Sequence, residues 1–413
     1  MIGEIIAIGD ELTSGRITNT TSGLAARHLF LLGHEILAMH TIGDDPELIG
    51  ATLKAAIARA DFVLVTGGLG ATTDDLTNEA VIKALHLNGA VHPGVQASIA
   101  SRLVGGDGAA VSLAKLARLP EGAEVLDPEC RMAGYLLRHQ GKPIWFLPGV
   151  PPQMEILLRD RVLPDLQAFD AARARPVSQR VYRTCGLFEI EINRRLQGLE
   201  QQGLAIGYYP VGSEVHVSLT AHNLERGVDD PRFREADTFI RAALGDHLYG
   251  TDQESLAAVT GRLLKERGLR LGTAESCTGG LIGALLTETP GSSRWYQGGV
   301  VVYANELKER LLDIDPDLLV RHGAVSGEIA RAMASGAVRR LGCDLAVSAT
   351  GIAGPEGGTA DKPVGTVYLG LATRDTVSDR LCHFHGSRRQ IQEKTAQTAV
   401  DMVRRALLEN QGG

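Results

Sequence analysis

The sequence predicts an α/β protein assembled from consecutive domains, and three observations carry that expectation. Short β-branched and apolar runs alternate with longer helical stretches, the pattern of strands joined by crossover helices. Glycine-rich loops directly follow several of those runs, at the place where an open sheet forms its ligand crevice. A chain of 413 residues exceeds what one hydrophobic core serves, so two or three domains are expected. With 44% hydrophobic and 22% charged residues the mixture is that of a globular protein, which excludes a disordered or membrane-embedded chain. A net charge of −7 disfavours broad attraction to nucleic acid or anionic lipid.

Residues 4–8 read as a strand, 19–32 as a helix, 35–39 as a strand, 46–60 as a helix and 62–66 as a buried strand, a βαβαβ unit with a parallel sheet. Residues 144–147 and 152–166 add a strand and a helix. The composition then changes at Asp170-Ala171-Ala172-Arg173-Ala174-Arg175-Pro176, where a boundary is placed. From 179 to 249 the pattern is a small α+β module: strand 181–185, helix 189–199, strands 205–209 and 214–221, helix 232–244. A helix over 252–266 and a strand over 270–273 open a third segment of further α/β alternation to residue 406, and Gln411-Gly412-Gly413 reads as a loose tail. The expected domains are residues 1–170, 176–250 and 252–410.

Cys130, Cys185, Cys277, Cys343 and Cys382 are dispersed and form no C-x-x-C pair, so neither a disulfide framework nor a structural zinc site is expected. The Met1-Ile2-Gly3-Glu4 start has no basic and apolar leader pattern, and no apolar run is long enough to span a bilayer, so a cytoplasmic location is expected. A homodimer is the default expectation for subunit number.

Thr66-Gly67-Gly68-Leu69-Gly70-Ala71-Thr72-Thr73-Asp74-Asp75 follows the strand at 62–66 and precedes a helical stretch from Asn78. Glycines there let backbone N–H groups approach a phosphate. Adjacent carboxylates would repel a bare phosphate, yet they suit a divalent cation bridging carboxylate and phosphate, because Mg²⁺ takes one or two carboxylates plus phosphate and water. The competing reading is that Asp74 or Asp75 caps the next helix. Gly9-Asp10-Glu11 and Gly43-Asp44-Asp45 are two more acidic loops after neighbouring apolar runs. Asp44, Asp74 and Asp75 are therefore expected to face one crevice.

Thr273-Ala274-Glu275-Ser276-Cys277-Thr278-Gly279-Gly280 follows a strand and opens the apolar helix at 281–287. Ser276 would sit on a strand-to-helix turn with the following N–H groups aimed at an oxyanion, a nucleophile's position. Cys277 is the rival nucleophile, and a small buried turn is the bland alternative. In Val300-Val301-Val302-Tyr303-Ala304-Asn305-Glu306-Leu307-Lys308, Asn305 reads as the N-cap of a helix that carries Lys308 in its first turn. A cation there is disfavoured by the helix dipole, so desolvation could make Lys308 a base for Ser276 with Tyr303 as relay; the alternative is a surface lysine beside a half-buried tyrosine. Thr350-Gly351-Ile352-Ala353-Gly354-Pro355 follows a further strand and permits backbone contacts to a phosphate or flat ring. Ser326 reads as a helix N-cap. Cys382, His383 and His385 alternate across a strand and do not make a metal set.

Ile6-Ala7-Ile8-Gly9-Asp10-Glu11-Leu12, Gly43-Asp44-Asp45, the 67–77 loop and Leu147-Pro148-Gly149-Val150-Pro151 resemble the molybdopterin-binding (MoCF-like) domain, in the version found at the N-terminus of the CinA family. Ala71 stands where that family usually has Pro, and Asp127-Pro128-Glu129-Cys130-Arg131 departs from its usual Asn- and Gly-rich loop. The Ser276, Tyr303 with Lys308, and Thr350-to-Val367 motifs resemble the C-terminal CinA domain, and the middle segment its KH-like module. The resemblance implies a parallel-sheet sandwich at 1–170 that hydrolyses ADP-ribose to AMP and ribose 5-phosphate. Gly67, Gly68, Gly70 and Thr72 would bind its substrate, and Asp44, Asp74 and Asp75 would hold Mg or Co, with K as a companion ion. It further implies a cofactor-free C-terminal α/β amidase that converts nicotinamide mononucleotide to nicotinate mononucleotide and ammonia. There Ser276 matches the nucleophile, Tyr303 and Lys308 its activating pair, and Glu275, Thr278, Gly279, Gly280, Thr350, Gly351 and Gly354 its substrate-binding positions. The partners implied are small-molecule nucleotides. The rival class is a non-catalytic regulator of competence or DNA repair, against which stand the negative charge and a middle segment without a Gly-x-x-Gly loop.

Overall fold

The computed structural model describes residues 1–102, 115–169, 177–199 and 203–409. The boundary expected at 170–176 and the tail at 411–413 lie outside them. The chain forms two compact units, one of Met1–Ser178 with His222–Gly227 and one of Gln179–Ala221 with Val228–Gly413.

In the first unit a six-stranded sheet runs in the order Glu35–Ile42, Ile2–Ile8, Phe62–Thr66, Lys142–Leu147, Tyr135–His139, Glu124–Val125. The first four strands are parallel, as the βαβαβ pattern predicts, and the last two add antiparallel edges that the sequence did not announce. All five residues of Phe62–Thr66 are buried because helices cover both faces. Ile6, Ile8, Val63 and Val65 pack on the side of Pro46–Arg59 and Thr77–Ala84, whereas Ile5, Phe62 and Leu64 pack against Leu29, Met154 and Leu158. Asp45 accepts from Leu48 N at 2.7 Å, and Pro46 follows as the first helical residue, which fixes that helix start where the sequence placed it. The stretch expected as one helix over 152–166 is instead Pro151–Leu157, a π-turn Leu158–Val162 and Leu163–Phe169.

In the second unit, Leu204–Val211, Glu214–His222, Val177–Cys185 and Leu248–Thr251 form a four-stranded sheet in that order, with helices Glu189–Arg195 and Pro231–Leu244. Beside this middle module, a five-stranded sheet runs Tyr296–Val301, Leu271–Glu275, Leu345–Gly351, Thr366–Thr373, Val377–His383. Its first three strands are parallel and its last two form an antiparallel hairpin, where further α/β alternation was expected. Leu256–Glu266, Leu281–Thr287 and Arg388–Glu409 lie on one face, and Asn305–Leu312, Pro316–His322 and Gly327–Leu341 on the other. The helix expected from residue 252 starts at Leu256, because Ser255 caps Ala258 N while Glu254 turns back to Thr251 N. Ser326 caps its helix through Ile329 N, as expected. Among the described residues no helix is long and apolar enough to cross a membrane.

Candidate functional site

Parallel pairing brings the carboxyl ends of Leu271–Glu275, Tyr296–Val301 and Leu345–Gly351 side by side, so the turns that follow them open at one end of the sheet. Ser276 heads the first of these turns. Its N–H donates to Ala349 O at 2.9 Å, which extends the ladder by one rung and fixes the residue in place. Lys308 reaches it from the helix Asn305–Leu312 and is only 1% exposed. Its Nζ lies 3.2 Å from Ser276 Oγ and donates to Val302 O at 2.9 Å and Tyr303 O at 3.1 Å. An ammonium carries three hydrogens and a neutral amine two. The two carbonyls can only accept, so a deprotonated Lys308 keeps both of those bonds and turns its lone pair toward the serine hydroxyl. Burial pushes the Lys308 pKa below its ordinary 10.5, although the Glu306 carboxylate pulls it back up. Cys277 is buried, and its thiol is pushed up to about 12, first by that burial. It is a protonated thiol at neutral pH.

Several expected roles change. Asn305 is the first helical residue rather than the N-cap; Ala304 holds the cap position, with no side-chain bond. Tyr303 does not relay between Ser276 and Lys308: the lysine touches the serine directly, and the Tyr303 hydroxyl accepts from Arg388 at 3.0 Å. Glu275 is 2% exposed, and its carboxylate is turned to the interior, where it accepts from the N–H groups of Gly280 at 2.9 Å, Ile282 at 3.0 Å and Gly283 at 2.8 Å. Of the N–H groups that follow Ser276, those of Gly280, Ile282 and Gly283 are thereby occupied, as is that of Gly279, which donates to Ser276 O at 3.2 Å. Gly279 and Gly280 adopt φ of 63° and 102°, the left-handed conformations that glycine permits. Thr278 keeps a buried hydroxyl without a protein partner. Thr350 spends its hydroxyl on Ala324 O at 2.6 Å. Gly351 is required by strand packing, since a Cβ there would meet Val367 at 2.6 Å, and Gly354 makes room for Val364 while its carbonyl accepts from Arg388 at 2.7 Å.

Arg388 and Gln392 escaped the sequence reading. Arg388 bridges Gly354 O and the Tyr303 hydroxyl, and Gln392 Nε2 donates to Cys277 O at 2.8 Å. The available signal was the pair Arg388-Arg389 at a helix start, where the dipole disfavours cations.

In the first unit, a crevice of about 530 Å³ opens at the carboxyl ends of Ile2–Ile8, Phe62–Thr66 and Lys142–Leu147, and Glu11, Asp44, Gly68, Asp74 and Asp75 are among its walls. The three carboxylates expected to share a crevice do so. They do not converge as a ligand set: among the described residues no group of three or more His, Cys, Asp or Glu side chains is placed to hold a metal. Asp44 is locked reciprocally with Asp10, accepting from Asp10 N at 2.9 Å and donating its own N–H to Asp10 Oδ1 at 3.1 Å. Asp75 accepts from Thr72 N at 2.9 Å and from the Thr72 hydroxyl, so Thr72 shapes the loop, and Gly70 leaves the room this carboxylate fills. Gly67 N is spent on Leu147 O at 3.1 Å, which removes one N–H expected to face a phosphate. Gly67 and Gly68 have φ of 96° and 63°. Burial raises the Asp44 pKa, and so do the charges of Asp10, Glu11 and Asp74, against the opposing Asp10 hydrogen bond. Crowded negative charge of this kind is what a divalent cation relieves. Because Mg²⁺ needs only one or two carboxylates when phosphate and water complete its shell, the residues fit such an ion.

The chain matches the model of the CinA C-terminal domain over residues 253–407, that of the "Probable molybdopterin binding domain" over 4–168, and that of the damage-inducible protein CinA KH domain over 179–250. It is 49% identical to a "CinA-like protein" of Desulfotalea psychrophila, with 98% of this chain and 99% of that one covered. A second "CinA-like protein", from Citrifermentans bemidjiense, is 38% identical with 98% and 97% covered. The crystal structure of a competence/damage inducible protein CihA from Agrobacterium tumefaciens is 42% identical over 37% of this chain and 93% of its own, with a TM-score of 0.36.

Proposed function

The chain belongs to the CinA family, and on that premise we propose that Ser276 is the nucleophile of a nicotinamide mononucleotide deamidase and that the N-terminal crevice hydrolyses ADP-ribose. The observation that carries the first half is the buried Lys308 amine 3.2 Å from Ser276 Oγ, with both its other hydrogens directed at carbonyls. Ser276 Oγ attacks the carboxamide carbon as its proton passes to Lys308 Nζ. The C–N bond then breaks, the proton goes from Lys308 to the departing nitrogen, and ammonia leaves an acyl-serine. Water attacks that ester as Lys308 takes its proton; the C–Oγ bond then breaks, the proton returns from Lys308 to Ser276 Oγ, and the carboxylic acid leaves a free serine. Cys277 takes no part, since a thiol pushed up to about 12 supplies almost no thiolate at neutral pH.

For the second half, Asp44 and Asp75 would hold a divalent cation, Mg or Co, against the pyrophosphate. When bound, that cation supplies charge neutralisation on the phosphate oxygens. The chain's own contribution is the left-handed Gly67-Gly68 turn, which shapes the crevice wall, and the Asp10–Asp44 lock, which holds the carboxylate still.

Ammonia release from nicotinamide mononucleotide by the purified protein tests the reading. Ser276→Ala should lower turnover by several orders of magnitude, while Cys277→Ala should keep most of it. Full activity in Ser276→Ala, or its loss in a folded Cys277→Ala, would transfer the role to the thiol.

A further inference from the structure

The helix Arg388–Glu409 is the element that the proposed reaction leaves unexplained. Its buried side, with Ile391, Ala396, Ala399, Val400 and Val403, holds it to the sheet by apolar packing. Such packing is non-directional and fixes a face better than an axial position. Directional contacts have to set the register, and they fall at two ends. At the start, Arg388 donates to Gly354 O and to the Tyr303 hydroxyl, and Gln392 Nε2 donates at 2.8 Å to Cys277 O, the carbonyl of the residue after Ser276. Farther along, Gln397 Nε2 donates to Glu214 Oε1 at 2.6 Å, and Arg404, 2% exposed, reaches the carbonyl of Asp246 while pairing with Asp401. Glu214 and Asp246 belong to the middle module.

Glu214 is a fixed anchor. Its carboxylate is 6% exposed and also accepts from Tyr249 Oη at 2.6 Å, His216 Nε2 at 2.8 Å and, at a longer 3.4 Å, Arg183. These donors all come from the module's own strands, so the carboxylate cannot follow the helix if the helix moves. Gln392 and Gln397 are five residues apart, about 7.5 Å along the axis and about 140° around it. One side chain can therefore face the nucleophile turn while the other faces the module, with a hydrogen-bonded helical rod between them.

We propose that Gln392 is a positioning residue for the nucleophile turn and that the middle module sets its register through the Gln397–Glu214 hydrogen bond. The proposal rests on the reading of Ser276 as nucleophile. The module thereby acts on acyl transfer without touching substrate: a helix free to slide would let Cys277 O drift and move Ser276 Oγ relative to the amine of Lys308.

The test is a cycle of Gln392→Leu, Gln397→Leu and the double variant in the full chain, read by steady-state ammonia release from nicotinamide mononucleotide and by the rate at which diisopropyl fluorophosphate labels Ser276. Each single variant should lower kcat between about 10- and 100-fold with KM little changed, the scale that a displacement near 1 Å imposes. Labelling should slow in parallel, and the double variant should be no worse than the worse single one, because both act through one contact. Gln397→Glu, which sets two carboxylates against each other, should lose more than Gln397→Leu. A lowered melting temperature with unchanged kcat and labelling in Gln397→Leu would overturn the inference, and so would losses that multiply in the double variant. Wild-type protein that labels at Ser276 but releases no ammonia would strike the substrate assignment alone, with the labelling rates still deciding this inference.

Discussion

Replacing Lys308 by methionine keeps an unbranched side chain, shorter by the terminal amine, and removes its base. A positioned general base is worth about 10²–10⁴-fold in rate, so kcat for nicotinamide mononucleotide should fall by that factor, or about 3–5 kcal/mol in barrier. Stability responds differently. Val302 O at 2.9 Å and Tyr303 O at 3.1 Å lose their donor, which costs about 1–3 kcal/mol each where no water replaces it. Relief from burying an amine offsets part of that cost. Lys308→Arg separates the two effects, since a guanidinium can donate to the same carbonyls but stays protonated and cannot accept the serine proton. Its kcat should fall as far as that of Lys308→Met. The pH dependence has a definite sign. The folded-state pKa of Lys308 lies below 10.5, so kcat should rise with pH through that lowered value as the amine becomes free. Over the same interval the unfolded chain binds a proton that the folded chain does not, so folding stability should fall as pH drops from 10.5 to the folded pKa and then level off. Chemical unfolding at several pH values should show that slope in the wild type and not in Lys308→Met. If Lys308→Met or Lys308→Arg keeps more than about a tenth of wild-type kcat, the general-base reasoning fails.

Asp44→Asn and Asp75→Asn should each lower cation-dependent cleavage of ADP-ribose by about 10–100-fold, while ammonia release from nicotinamide mononucleotide is unchanged and insensitive to EDTA; equal sensitivity of both activities would refute this separation. In the first unit, Glu4 is fully buried, and although burial pulls its pKa up, Arg59 and His40 outweigh that pull and hold it below 4.5. The carboxylate's contribution is present above the unfolded value near 4.5 and is lost as pH falls through the folded pKa. Because Arg59 and His40 are 49% and 29% exposed and can hydrate once unpaired, Glu4→Leu should cost only about 1–3 kcal/mol, and its denaturation midpoint should lose the acid-side slope seen in the wild type.

Where neighbouring residues decide a structure, the sequence was readable. Phe62–Thr66 is an unbroken apolar run, as a strand covered on both faces requires, and Leu281–Thr287 is an uninterrupted apolar helix; both occupy the residues expected of them. The Asp45-Pro46 pair marks a helix start by local hydrogen bonding alone. The side chains of Ser276 and Lys308 also meet as expected, because parallel strands bring successive turns to one end of the sheet. What escaped depends on partners far along the chain. The Tyr303 hydroxyl is claimed by Arg388, 85 residues on, and Gln392 finds Cys277 across 115. Nothing in the local pattern around Tyr303 carries that information. Glu275 was misjudged for a related reason: a carboxylate beside a nucleophile suggests a ligand contact, whereas three backbone donors arriving from the next helix hold it in the interior. The antiparallel pairing of Thr366–Thr373 with Val377–His383 was missed because an apolar run reads the same in either direction.

The way Glu275 holds the turn above it bears on how a molecule arrives. With three N–H groups gathered on one carboxylate, the turn has less freedom to lose than an untied loop would. If Ser276 is the nucleophile, a substrate would meet a turn already set, and binding would need no slow rearrangement after first contact. Selectivity at such a site comes from fit at the moment of encounter, so a molecule of the wrong shape is turned away without reshaping the protein around it.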